Sequence, residues 1–86
     1  MNTNTKQILL FSAPWCKACE GMDVIVKEHC TKYNFGFRYV NVDESQEEVN
    51  DHEIEKIPTI VFLTNDIPFK SIYITNKTDL SKEFSE

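Results

Sequence analysis

The sequence predicts an α/β fold, with a four-stranded mixed sheet flanked by helices in the order β-α-β-α-β-β-α. Ile8–Phe11 is an apolar run without a polar break, typical of a buried strand. A second such run, Ile60–Leu63, follows Pro58, a residue that strands tolerate at their start. Between the runs, apolar residues recur at helical spacing from Met22 to Cys30. A chain of 86 residues is too short for two cores, so residues 1–86 are expected to form one domain.

The first half of the chain is predicted to form strand, helix and strand. The first strand covers Lys6–Ser12, and the first helix runs without a break over Cys16–Tyr33. Asn34 and Gly36 are typical of the left-handed residues that end helices. Phe35–Asp43 alternates aromatic or β-branched residues with small or polar ones, which predicts the second strand.

The second half is predicted to add a helix, a hairpin and a final helix. Ser45 has the type of an N-cap and Glu48 has capping-box spacing, which predicts a short acidic helix. Pro68 lacks an N–H, so the strand that contains it is expected at an edge of the sheet. The predicted elements are a helix at Ser45–Ile54, strands at Pro58–Leu63 and Ile67–Ile74 joined by a turn at Thr64–Asp66, and a helix at Thr78–Phe84.

Two cysteines, Cys16 and Cys19, lie where the first strand is followed by the first helix. Positions i and i+3 share a helix face, at a separation that a disulfide can span. The N-terminus of a helix favours an anion, so Cys16 is expected to form a thiolate of lowered pKa, assisted by Lys17. Cys19, one turn further along, would be the resolving thiol.

Ala13–Cys19 together with Ile57–Thr59 resembles the thioredoxin superfamily, and its thioredoxin or small disulfide-reductase branch in particular. The resemblance implies a minimal thioredoxin fold and a cis Ile57–Pro58 bond packed against the dithiol. It implies a thiol–disulfide oxidoreductase with Cys16 as nucleophile, acting on disulfide-containing proteins. Trp15, Lys17, Lys56, Ile57 and Pro58 are the expected substrate-binding residues.

The resemblance also implies a source of electrons, either thioredoxin reductase or glutathione. No cofactor and no metal is expected, and the protein is expected to be a monomer. Two departures from the family pattern concern the dithiol. Lys17-Ala18 replaces Gly-Pro between the cysteines, so the redox potential does not carry over. Leu10 and Tyr39 stand where the family has a buried Asp and a Lys, so Cys19 would need water or a carboxylate such as Glu20 for its deprotonation.

Three alternatives were weighed against this interpretation. A zinc site would need Cys30, His29 or His52 as further ligands. On one continuous helix Cys30 would lie about 16 Å beyond Cys19, which disfavours a shared metal or a second disulfide and leaves Cys30 as a buried apolar residue. A glutaredoxin-like electron donor would bind glutathione partly through a Gly-Gly-Asp sequence, of which only Asp79 is present. A thioredoxin-fold binding subunit without turnover is the third alternative.

Charge and hydropathy exclude other classes of function. The net charge of −5 disfavours nucleic-acid binding, which depends on Lys and Arg neutralising phosphates. The longest apolar runs are four residues, so no membrane span is expected. The N-terminal residues lack the pattern of a signal peptide, and the three cysteines do not suggest a disulfide framework. A cytoplasmic location is therefore expected.

Overall fold

The structure, a computed structural model, describes residues 5–75 and 80–84. Within them the elements follow the predicted order. They are β1 (Lys6–Ser12), a 3₁₀ turn (Lys17–Cys19), α1 (Met22–Tyr33), β2 (Gly36–Asn41), α2 (Gln46–Asp51), β3 (Thr59–Thr64), β4 (Ile67–Tyr73) and α3 (Leu80–Phe84). None of the described helices is long and apolar enough to cross a membrane.

The four strands form one mixed sheet in the spatial order β2-β1-β3-β4. β1 pairs in parallel with β2, with Ile8 opposite Phe37, and antiparallel with β3, with Ile8 opposite Phe62. β4 pairs antiparallel with β3 and lies at the edge, as the position of Pro68 predicts. The mixed four-stranded sheet and its flanking helices confirm the predicted fold class.

β1 is buried because it contributes to the core on both faces of the sheet. Alternate side chains of a strand point to opposite faces. Ile8 and Leu10 pack on one face with residues from α1 and α3, and Leu9 and Phe11 pack on the other face with residues from β3 and α2. This two-sided burial explains the uninterrupted apolar run in the sequence.

α3 is held against α1 and the sheet by an aromatic cluster. The Phe84 ring lies 5.1 Å from that of Phe35 and 5.3 Å from that of Phe62, centroid to centroid. It also lies 5.7 Å from Tyr33 and 5.5 Å from His29. The predicted start of this helix at Thr78 lies outside the described residues.

The predicted continuous helix over Cys16–Tyr33 is wrong. Gly21 has φ 79° and interrupts it, so a 3₁₀ turn carries Cys19 and α1 begins only at Met22. A right-handed helix does not accommodate a left-handed residue, whereas glycine adopts that conformation without steric cost. At the other end the prediction is confirmed, since Asn34 has φ 65° and ends α1.

α2 is shorter than predicted, and its predicted capping box is not formed. The Ser45 side chain makes no cap hydrogen bond. Glu48 instead accepts hydrogen bonds from both terminal nitrogens of Arg38 on β2, with Arg38 Nη1 to Glu48 Oε1 at 3.2 Å. This ion pair lowers the pKa of Glu48 through the hydrogen bond from Arg38, and it joins α2 to the edge of the sheet.

The hairpin between β3 and β4 turns through two left-handed residues. Asn65 has φ 53° and Asp66 has φ 67°. Two successive residues of this kind form the tight turn whose twist matches that of an antiparallel pair, and Asn and Asp tolerate the conformation better than most residues. The predicted turn at Thr64–Asp66 is therefore at the right place.

Candidate redox-active site

The two cysteines are brought together by the backbone that follows β1. The Cys16 N–H donates to the Ala13 carbonyl at 3.2 Å, which folds Ala13–Cys16 into a turn. The Cys19 N–H then donates to the Cys16 carbonyl at 3.1 Å. These bonds set the Cα atoms 5.2 Å apart, and Cys16 and Cys19 form a disulfide. The separation lies within the usual range for such a bond.

Apolar side chains pack against the disulfide. Cys16 is 8% exposed and Cys19 is 5% exposed, and both pack with Ala13. Val42, just beyond β2, and Ile57 complete the contact. Cys16 is thus slightly more accessible than Cys19, although both side chains lie mostly below the surface.

The Ile57–Pro58 peptide bond is cis, as the resemblance implied. Pro58 is fully buried, and Ile57 contributes to the apolar contact around the cysteines. The Thr59 hydroxyl donates to the Lys56 carbonyl at 2.6 Å, and the Ile74 N–H donates to the Pro58 carbonyl at 2.9 Å. These two bonds fix the loop that faces the dithiol.

Trp15 lies beside the dithiol and is 65% exposed. Its indole Nε1 donates to Asp43 Oδ2 at 2.6 Å, which orients the ring over the surface. The Asp43 N–H in turn donates to Asn41 Oδ1 at 2.9 Å, so the carboxylate belongs to an ordered turn after β2. An exposed indole whose N–H is held by a hydrogen bond presents a flat apolar face to a partner.

An apolar depression of about 200 Å³ lies on the α2 side of the cysteines. Its lining brings together Trp15, Lys56 and Ile57, three of the predicted substrate-binding residues, with side chains of α2 and the loop after it. The Lys56 ammonium lies 4.8 Å from the centroid of the Tyr73 ring, a cation–π contact that directs its charged end towards β4.

A second cavity, of about 160 Å³, lies on the opposite side of the cysteines and is more polar. Both cysteines border it, together with Ser12, Ala13, Pro14, Glu20, Gly21, Asp23 and Tyr39. Glu20 was named from the sequence as a carboxylate near Cys19. The structure places it here and adds Asp23, from the first turn of α1.

Val42, Asp43 and Asp23 also lie at this site and were not predicted from the sequence. Val42 and Asp43 follow β2, which runs parallel to β1, and the Val42 N–H donates to the Ser12 carbonyl at 3.0 Å. Parallel strands end at the same edge of a sheet, so this neighbourhood follows from the predicted pairing. Asp23 lies four residues after Cys19, a spacing that puts two side chains on one helix face, so the sequence did hold a signal for it.

The remaining residues considered as ligands lie away from the dithiol. Cys30 is a free thiol packed in the cluster beneath α1, and burial raises its pKa to about 12. His29 packs against the rings of Tyr33 and Phe84. In the part of the chain that the structure describes, no three His, Cys, Asp or Glu side chains are grouped to hold a metal ion.

Comparison with known proteins connects this geometry to one family. The family model described as Thioredoxin matches residues 1–86. Thioredoxin H5 of Oryza sativa is 31% identical over 80 residues, which are 92% of this chain and 59% of that protein. A thioredoxin of Mycoplasmoides gallisepticum is 35% identical over 63 residues, covering 72% of this chain and 63% of its own.

Solved structures show the same similarity. The germline-specific thioredoxin Deadhead of Drosophila melanogaster has a TM-score of 0.81 at 26% identity, covering 92% of this chain and 77% of that one. A Plasmodium falciparum thioredoxin has a TM-score of 0.82 at 26% identity, covering 94% and 80%. The chain spans about three fifths of the length of the curated relatives. With the paired cysteines before α1, the cis Ile57–Pro58 bond and a family match over the whole sequence, the chain belongs to the thioredoxin family.

Proposed function

We propose that the protein is a thiol–disulfide oxidoreductase that reduces disulfides in other proteins. The observation that carries the proposal is the Cys16–Cys19 disulfide at the end of the central strand, next to the loop with the cis Ile57–Pro58 bond. Two cysteines separated by two residues hold their sulfurs close enough to interconvert between a dithiol and a disulfide. The matches to thioredoxins favour this branch over the glutaredoxin-like alternative.

In the proposed reaction, the reduced form attacks a substrate disulfide with the Cys16 thiolate. One substrate sulfur leaves as a thiolate, and Cys16 is joined to the other in a mixed disulfide. The Cys19 thiol then loses its proton and attacks the Cys16 sulfur. This step releases the second substrate sulfur and forms the Cys16–Cys19 disulfide, so two electrons pass from the protein to the substrate.

Trp15, Ile57 and Lys56 are the proposed contacts for the substrate chain, because they line the apolar depression beside the cysteines. Pro58 is fully buried and anchors this loop. Lys17 is exposed between the cysteines and adds a positive charge next to the nucleophile. Because α1 begins only at Met22, Cys16 does not lie at the N-terminus of the long helix that was expected to lower its pKa. Lys17 and the 3₁₀ turn are left to favour the thiolate.

The proposal includes the surroundings of the reaction. Disulfide-containing proteins are the substrates, and thioredoxin reductase or glutathione returns the electrons to the Cys16–Cys19 pair. The protein acts as one domain and as a monomer, in a reducing compartment such as the cytoplasm. A reducing environment is consistent with a buried Cys30 that remains a free thiol.

Turbidity of insulin in the presence of dithiothreitol tests the proposal. We expect the protein to accelerate precipitation of the reduced insulin chains over dithiothreitol alone. Cys16→Ser should remove the acceleration, and Cys30→Ala should keep it because Cys30 lies in a different part of the core. A rate for the unaltered protein no higher than the dithiothreitol background would contradict the proposal and favour the binding-subunit alternative.

A further inference from the structure

Cys19 is nearly inaccessible, yet the proposed reaction requires it to lose a proton. Cys19 is 5% exposed, and on one side it packs with the apolar side chains of Ala13, Val42 and Ile57. A thiol in such surroundings favours its neutral form, and only the thiolate attacks a disulfide. Resolution of the mixed disulfide therefore needs a route by which the Cys19 proton leaves.

The polar cavity described above lies beside this thiol. Cys19 borders it, and so do the carboxylate residues Glu20 and Asp23. Its volume of about 160 Å³ is large enough for water, since one water molecule occupies roughly 30 Å³ in the liquid. Glu20 and Asp23 are both exposed, so a proton that reaches either carboxylate passes readily to solvent.

We propose that Glu20 and Asp23 accept, through water in this cavity, the proton that Cys19 loses when it resolves the mixed disulfide. The inference rests on the proposed reductase function. The S–H bond of Cys19 breaks, its proton passes to a carboxylate, and its electron pair forms the bond to Cys16 Sγ. The bond between Cys16 and the substrate sulfur breaks at the same time, and the substrate leaves as a thiolate.

The other groups around Cys19 are less suited to this role. Tyr39 borders the cavity, but a phenol is a poor proton acceptor near neutral pH. The Ser12 hydroxyl also borders the cavity, but a neutral hydroxyl is a weak base and can at most relay a proton to another group. Lys17, in the same 3₁₀ turn, is exposed and carries a positive charge, which favours the thiolate without taking its proton. A carboxylate is unprotonated at pH 7 and can accept.

Stopped-flow reaction with 4,4′-dithiodipyridine separates the two thiol steps. This disulfide is uncharged, so removing acidic groups does not change its attraction to the site. Attack by Cys16 releases one thiopyridone, and resolution by Cys19 releases the second. The variants are Glu20→Gln, Asp23→Asn and the double substitution. Glu28→Gln, an exposed carboxylate of α1 that does not border the cavity, is the matched control, and Cys19→Ser identifies the first phase.

We expect the double variant to slow the second phase by about 10-fold or more, since a positioned general base contributes roughly 10²–10⁴-fold. Its second phase should rise in proportion to hydroxide concentration between pH 6 and 8, whereas that of the unaltered protein should depend on pH much less. Tyr39→Phe and Glu28→Gln should leave the second phase unchanged. A purely structural effect of the substitutions would not alter the pH dependence.

Two outcomes would overturn the inference: an unchanged second phase in the double variant, or the same hydroxide dependence in the double variant and the unaltered protein. Both leave the reductase function intact, because the first phase still reports attack by Cys16. Failure of the proposed function has a different signature, in which the unaltered protein releases thiopyridone no faster than a free thiol does.

Discussion

The two glycines of the chain should respond to alanine in opposite directions. Gly21 has φ 79°, and a Cβ added there would meet nothing within 4 Å. The cost of Gly21→Ala is therefore backbone strain alone, about 1–2 kcal/mol for a left-handed residue. Gly36, at the start of β2, has no such φ, and its added Cβ would lie 3.4 Å from Gln7 Cγ and 3.7 Å from the Lys6 carbonyl oxygen. These are ordinary contacts with room to adjust.

At Gly36, the main effect of alanine is to reduce the conformational freedom of the unfolded chain. Gly36→Ala should therefore stabilise the fold by about 0.4–1 kcal/mol. The free energies of unfolding of the two variants should differ by about 1.4–3 kcal/mol, with Gly21→Ala the less stable. Gly21→Asn should fall between Gly21→Ala and the unaltered protein, because Asn enters the left-handed region more easily than Ala.

Urea unfolding followed by far-UV circular dichroism measures these differences. The protein should be kept reduced with dithiothreitol, so that the Cys16–Cys19 bond does not contribute to its stability. A Gly21→Ala variant as stable as the unaltered protein would contradict the predicted backbone strain at Gly21. An equal loss of stability in Gly36→Ala and Gly21→Ala would show that φ does not decide whether alanine stabilises or destabilises these two positions.

Three further measurements test the packing. Cys30, whose pKa burial raises to about 12, should resist iodoacetamide at pH 7.5 in the folded protein and react in urea; rapid labelling without urea would contradict its placement. Arg38 lowers the pKa of Glu48, so the pair stabilises above the unfolded carboxyl pKa and loses its effect as the pH falls through the folded one. Glu48→Gln should thus cost about 0.2–1 kcal/mol at pH 7 for this exposed pair and nothing at pH 2, as urea unfolding would show. Phe84→Ala should cost about 3–5 kcal/mol, whereas Phe69→Ala, exposed on β4, should cost about 1 kcal/mol or less; equal losses in urea unfolding would argue against the docking of α3.

Much of the fold was predictable because β1 and β3 are buried on both faces. Their central residues, Ile8–Phe11 and Ile60–Leu63, are apolar without a break, and the bounds of β1 were predicted without error. The pair Cys16 and Cys19 was predictable for a related reason, since it directly follows such a strand. The edge strand β4 was recognised from Pro68, which cannot donate to a neighbour.

What the sequence did not reveal depends on contacts between distant residues or on a single dihedral angle. The break at Gly21 was missed because the apolar spacing on either side is compatible with one helix, and only φ at one residue separates the two arrangements. The capping box of α2 was mispredicted because Glu48 pairs with Arg38, a residue on another strand. The hydrogen bond from Trp15 to Asp43 likewise joins residues that only the parallel pairing of β1 and β2 brings together.

The position of β1 within the sheet has a consequence for hydrogen exchange. β1 is hydrogen-bonded on both sides, by β2 and β3, while in the described chain β2 and β4 are each paired on one side only. Amide protons of β1, and of β3, which is also paired on both sides, should therefore exchange with deuterium last, close to the rate of global unfolding. The turn that carries the two cysteines follows directly after β1. Local opening of the outer strands therefore leaves the strand that precedes the two sulfurs in place.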